Sequence, residues 1–269
     1  MRRDSHTVRA TRALEIGALL VAVFATGGCL SGPLSEGNAA QPHLDTKIYS
    51  VSCEDGRRYA AQTLKVRTYE ITDVQRNASQ TTVTGRNTTD KVTSSITVTC
   101  QEGGVTVATN GGTQWVKDGL RFGFYQLVET GDRIWPPPTG PVVKMELYQG
   151  AESKIEFPTE LDSLGLVGVR VKVLNAGERT LRIDPRRLIA TAASGAQAHP
   201  IAQSEAQQKV GGSDPDIAKK LLGATKLKQG ESVVGFVFFP AGSYESASIA
   251  LIDDKTSEAD DYDVHFGTG

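Results

Sequence analysis

The chain runs to 269 residues, with 29 Lys and Arg against 31 Asp and Glu, a hydrophobic fraction of 39% and 3 Cys. A formal charge of −2 is too balanced for a protein that binds nucleic acid by neutralising phosphates, and the apolar patterning is too strong for a disordered chain. Three Cys are too few for a disulfide-dense miniature scaffold.

Arg2, Arg3, Arg9 and Arg12 form a basic start, and Ile16 to Ala25 is an uncharged apolar run ahead of Thr26-Gly27-Gly28-Cys29. The run falls short of the ~20 residues that a membrane-spanning helix needs, so it predicts an export signal over residues 1–28, cut before Cys29. The small residues ahead of the Cys resemble the bacterial lipobox, whose Cys is lipidated and becomes the new N-terminus, although Thr26 stands where that motif usually has Leu. Cysteine arithmetic points the same way. Cys53 and Cys100 make a natural disulfide pair, and a third thiol left exposed at Cys29 in an oxidising compartment is a liability unless thioether formation consumes it. The alternative is an ordinary secretory signal with a Cys near its end. Loss of residues 1–28 removes four Arg and two acids and leaves a net charge of −4, so membrane attachment rests on acyl chains rather than on attraction to anionic lipid. Leu30 and Ser31 after the Cys, by resemblance to enterobacterial lipoproteins, suit the outer membrane or cell surface.

Residues 29–47, rich in Gly, Pro, Ser and Asn with no apolar period, have the composition of a flexible tether. Folded sequence begins near Ile48, and residues 48–134 predict a small α+β domain. Ser52-Cys53-Glu54-Asp55 has the form of a helix-capping box, and Tyr59, Ala60, Thr63 and Leu64 follow at helical spacing, which places a helix at about 54–66. Strands are expected over 69–74, 81–85, 96–100 and 105–109, where β-branched residues concentrate, with Gly103-Gly104 as a hairpin turn. A bridge between Cys53 at the helix start and Cys100 on a strand removes ~4 kcal/mol of unfolded-state freedom in the chain-entropy estimate. Two buried reduced thiols are the alternative. Residues 114–134 hold most of this half's aromatics and read as core or an edge hairpin turning at Asp118-Gly119, with a ligand groove as the other possibility.

The Pro-rich stretch 135–141 cannot continue a sheet and predicts a linker. From residue 142 to 269, seven or eight short strands separated by turn signals predict an immunoglobulin-like sandwich, with strands at 142–148, 154–157, 166–174, 180–183, 188–192, 232–239, 247–252 and 262–266. Val167, Val169, Val171 and Val173 alternate with Gly168, Arg170 and Lys172, which predicts one buried and one wet face. A helical insertion interrupts the β pattern between His199 and Thr225. Asp214-Pro215 reads as the start of a helix over about 215–222, and a second helix is expected over 201–210, stopped by Gly211-Gly212. Insertions on a sandwich rim are frequent binding elements, and they are also tolerated as passive loops.

Three runs resemble uncharacterised bacterial envelope lipoproteins that carry a C-terminal immunoglobulin-like domain: 167–177 (VGVRVKVLNAG), 181–185 (LRIDP) and 230–240, where Gly230-Glu231-Ser232 leads into GFVFFP. The resemblance covers roughly the last hundred residues and implies fold and location, not activity.

No metal, nucleotide or nucleophile-elbow motif occurs in the chain. His43, His199 and His265 lie far apart with no Cys or acid at ligand spacing. Asp253-Asp254, Glu258, Asp260-Asp261 and Asp263 supply hard oxygen ligands of the kind calcium takes, yet they lack a calcium loop's glycine-centred spacing and read better as a solvated turn. The expected protein is mainly β, a small α+β domain followed by a sandwich. Neither a catalytic residue nor a cofactor or metal site is assigned. Its expected role is that of a non-enzymatic envelope module, held to the membrane by lipid on Cys29, that binds another envelope protein or a cell-wall component and no nucleic acid. The rivals are a surface hydrolase or transferase with a site between the domains, and a passive spacer or antigen.

Overall fold

The computed structural model describes residues 47–131 and 137–266. The expected export signal, Cys29, His43 and nearly all of the expected tether lie outside the described residues, as does Trp135. The architecture is mainly β and antiparallel, with a small helix-and-meander half followed by a two-sheet half.

Helix α1 (Cys53–Val66) begins where the capping box places it. Ser52 Oγ accepts from the Asp55 amide at 3.0 Å, and Arg58 pairs with Glu54 and Asp55, each at 3.1 Å, so the first turn's carboxylates serve both the helix dipole and a local ion pair. Strands β1 (Tyr69–Arg76), β2 (Gln80–Asn87), β3 (Thr93–Gln101) and β4 (Gly104–Asn110) follow as a meander in sequence order. Val83, Ile96, Val98, Val105 and Val107 turn one face towards α1, whose Ala60, Ala61 and Leu64 are buried against them. The β3–β4 turn is Glu102-Gly103, with Gly104 already paired to Gln101. Gly104 has a different duty from the expected turn residue, because a Cβ there would sit 2.0 Å from the Tyr49 carbonyl oxygen. The Cys53–Cys100 disulfide ties the start of α1 to the end of β3, with the Cα atoms 5.4 Å apart.

Residues 114–130 depart from expectation: they form helix α2 (Gln114–Thr130), not a hairpin. Thr113 caps it by accepting from the Val116 amide at 3.4 Å, and Leu120 and Phe124 fall one helical turn apart on the buried side. Asp118-Gly119 is not a turn. A Cβ on Gly119 would lie 3.2 Å from the Arg67 guanidinium and one on Gly123 3.1 Å from Thr63, so these glycines let α2 lie close on α1. Phe124 takes Tyr49 edge-on, with ring centroids 5.3 Å apart.

The second half opens with β5 (Pro141–Tyr148), Pro141 standing at a strand start where its missing amide costs little. The expected strand at 154–157 is instead a 3-10 turn over Gly150–Ile155. Ser153 explains the difference, since its hydroxyl donates to the Gly150 carbonyl at 2.7 Å and accepts from the Leu161 amide at 3.0 Å, curling the segment. Then come β6 (Leu166–Asn175), β7 (Leu181–Ile183), β8 (Ile189–Ala192), β9 (Gln197–Ala198), helices α3 (Gln203–Gly211) and α4 (Ile217–Lys220), β10 (Thr225–Leu227), β11 (Ser232–Pro240), β12 (Tyr244–Asp253) and β13 (Ala259–His265). Strands β11, β6 and β5 make a three-stranded sheet; β12 is the spine of a six-stranded one, with β13 along one edge and β8 and β7 sharing the other. Strands β9 and β10 were not expected.

Between the sheets, Val169, Val171 and Val173 of β6 and Val237 and Phe239 of β11 meet Leu181, Ile183, Ile249 and Leu251. The alternation along β6 is right at its Arg170–Lys172 end, where both side chains are half-buried. It fails at Gly168, which is buried with Leu161 close enough that a Cβ would lie 3.0 Å from it. The reason is a second cluster on the other face: Phe236 and Phe238 of β11 pack with Tyr148, Ile155, Phe157 and Leu161, and this cluster is continuous with the core beneath α1 and α2.

Candidate functional site

The site lies where the helical insertion meets β11. The expected helix over 215–222 is shorter, because Leu221 and Leu222 leave it to line up with the strand: Leu221 forms a parallel bridge with Phe236, and the Leu222 amide donates to the Phe236 carbonyl at 2.9 Å. At the insertion's start, the Ile201 amide donates to the Phe238 carbonyl, also at 2.9 Å. The insertion thus covers the outer edge of β11, the kind of edge that is otherwise open to strand addition. This close approach requires glycine at 235, since a Cβ there would lie 2.6 Å from the Leu222 Cα. Asp214 holds the insertion's far end, accepting from the Asp216 amide at 3.1 Å and from Lys220 Nζ at 2.7 Å.

Between the insertion, β11 and the Asp184–Arg186 turn lies a cavity of about 600 Å³. Its walls are apolar: Ile201 and Ala206 from the insertion's first arm, Leu221 and Leu222 from its second, Phe236 and Phe238 from the strand. Polar groups are few. Gln203 Nε2 donates to the Leu222 carbonyl at 2.6 Å, bracing one arm of the insertion against the other. Arg186 grips Asp184 twice, through Nε at 3.0 Å and Nη2 at 2.8 Å, and this holds the Asp184 carboxyl below its usual range. A smaller cavity of about 190 Å³ lies beside Arg67, Asp90 and Trp115.

A buried charge centre that sequence reasoning missed lies behind the Phe236 wall. Glu156 is 2% exposed, with Arg58 Nε 2.9 Å from its Oε1 as an ion pair rather than an aligned hydrogen bond. Burial raises its pKa to about 7 against the opposing pull of Arg58. Lys220 Nζ donates to the Glu156 backbone carbonyl at 2.6 Å, joining the insertion to this centre. Nearby, Lys65 pairs with Glu152, and Lys154 lies 3.6 Å from Asp73. Ile155, Glu156 and Phe157 look in sequence like half of an alternating strand with a solvated Glu, and only the 3-10 turn directs that carboxylate inward.

Of the residues singled out from sequence, Cys53 and Cys100 are brought together. His199 and His265 are both exposed and stand outside the cavity lining. The acidic segment is engaged in its own hairpin: Asp253 accepts from the amides of Lys255 at 2.8 Å and Thr256 at 3.1 Å, Asp254 pairs with Arg182 and Lys226, and Asp260 pairs with Arg179 at 2.6 Å. Among the described residues no group of three or more His, Cys, Asp or Glu side chains is placed to hold a metal ion, and no helix is long and apolar enough to cross a membrane.

No protein-family model matches the chain, and no curated protein matches it. Among solved structures it is similar to the yjhA protein from Bacillus subtilis, at 13% identity over 49% of this chain and 95% of that one, with a TM-score of 0.30. It is also similar to a functionally unknown protein from Listeria monocytogenes EGD-e, at 8% identity over 76% of this chain and 84% of that one, with a TM-score of 0.24. Overlaps this loose leave the fold to be argued from the chain's own geometry.

Proposed function

We propose that this protein is a non-enzymatic binding module of the bacterial cell envelope, exported, lipid-anchored through Cys29 at the outer membrane or cell surface, and binding through its helical insertion. The observation that carries the binding role is the cavity of about 600 Å³ beneath the insertion, within the range of small-molecule sites and walled mainly by apolar side chains. Its chemistry favours binding over hydrolysis. The carboxylate in its lining, Asp184, is held by Arg186, and of the described histidines neither His199 nor His265 lines it. Anchorage is supported by the basic start, the ten-residue apolar run and the small residues ahead of Cys29.

The test is crosslinking in intact cells that produce a tagged chain, with the Cys29→Ser chain as the unanchored control and mass spectrometry of what co-purifies. An envelope component enriched with the native chain and depleted in the control is expected. Recovery of the native chain as a solitary monomer in every fraction would overturn the reading.

A further inference from the structure

Resting on that reading of the cavity as a binding site, we infer that its ligand is a single-chain anionic amphiphile, hydrocarbon inside and head group at the Pro185–Arg187 turn. The walls offer Ile201, Leu221, Leu222, Phe236 and Phe238, and besides Asp184 and Arg186 the polar side chains are Gln203, engaged by the Leu222 carbonyl, and Ser204, so hydrocarbon gains most from entering it. The mouth is different. Arg186 is 87% exposed along its side chain; Nε and Nη2 are taken by Asp184, and Nη1 engages no partner among the described residues. Arg187 follows in the same turn and is exposed, just outside the cavity lining, so the turn as a whole carries two guanidinium groups against one carboxylate. On a chain whose formal charge is −2, this is a locally cationic lip on an apolar cavity. Guanidinium is also the side chain best shaped to hold a carboxylate or phosphate.

A peptide fits the site less well. Extended peptides bind sheet edges by backbone pairing, and here the carbonyls of Phe236 and Phe238 are already taken by Leu222 and Ile201. A cationic amphiphile would set its head group against the Arg186 guanidinium with like charge.

The probe is cis-parinarate, whose fluorescence rises in an apolar site, titrated into the full-length Cys29→Ser chain so that no anchor acyl chain competes. Dodecanoate is expected to displace it, and dodecyltrimethylammonium to do so at least tenfold less well. Ala202 is exposed at the lip of the cavity, so Ala202→Trp is expected to block the probe without disturbing the fold, verified by an unchanged melting temperature. Arg186→Glu is expected to weaken dodecanoate about tenfold, the effect of losing one charge-assisted contact, while leaving uncharged dodecanol unaffected. Absence of probe binding by the folded chain, binding indifferent to Ala202→Trp, or equal displacement by the anionic and cationic amphiphiles would each overturn the inference. If an envelope partner is still crosslinked in cells under any of these outcomes, the binding role stands and only the ligand class falls.

Discussion

Glu156 is a carboxyl group whose burial works against its charge. Its pKa rises from 4.5 in the unfolded chain to about 7 in the fold, so the folded state holds the proton more tightly between those values. The associated stability is therefore fully present below about pH 4.5, declines as pH rises towards 7, and is gone above it, a loss on the order of 3 kcal/mol. The groups facing Glu156 come from every side: Arg58 and Glu54 from α1, the neutral Tyr148 phenol from β5, Arg170 from β6 and Lys220 from α4. Glu156→Gln, which is neutral throughout, should remove this pH dependence and match or exceed the native chain's stability at pH 8. Urea unfolding at pH 4 and pH 8 checks it, and a native-like slope in the variant would show that another group carries the effect. Nothing in the residues Ile155-Glu156-Phe157 alone marks this carboxylate, because inward or outward orientation there depends on a turn set by Ser153.

At the scale of elements, legibility followed how local the determining interaction was. Helix α1 and the meander were readable because the capping box at Ser52 and the alternation of β-branched residues encode them within a few residues. Helix α2 was not, because Gly119 after Asp118 looks like a turn residue in sequence, whereas the real cause of Gly119 and Gly123 is the nearness of Arg67 and Thr63 across the α1–α2 contact. The Cys53–Cys100 bridge joins the two legible elements. Cys53→Ser with Cys100→Ser should destabilise the fold by up to ~4 kcal/mol, the entropy released by opening a loop with a sequence separation of 47 residues. Denaturant titration of the double variant against the oxidised native chain measures this. No difference would mean that the meander and α1 hold together without the bridge.

The whole molecule turns on a three-stranded sheet used on both faces. Along β11, Val237 and Phe239 face the sandwich core, while Phe236 and Phe238 face the cluster that continues under α1 and α2. This double burial explains why Gly235-Phe236-Val237-Phe238-Phe239 is a continuous apolar run rather than an alternating one. A chain of residues 142–269 made alone should therefore lose the cover that α1 and β1 give the Gly150–Ile155 turn, baring Ile155 and leaving Glu156 without Arg58, and either aggregate or bind an apolar dye strongly where the full chain does not. A soluble, dye-silent fragment with a cooperative melt would show that the sandwich closes that face by itself.

The sequence by itself determined the mainly β class, the order of most strands, the pairing of the two cysteines and the position of the insertion, since alternation, capping and turn chemistry act over a few residues. Only the tertiary structure decided what the insertion does. Its residues take on meaning when Leu222 and Ile201 close over β11, when Gly235 leaves room for that approach, and when the Asp184–Arg186 turn from the other sheet completes the cavity. A concave site assembled from segments a dozen or more residues apart has no period in the chain, because its register is set by packing rather than by neighbours.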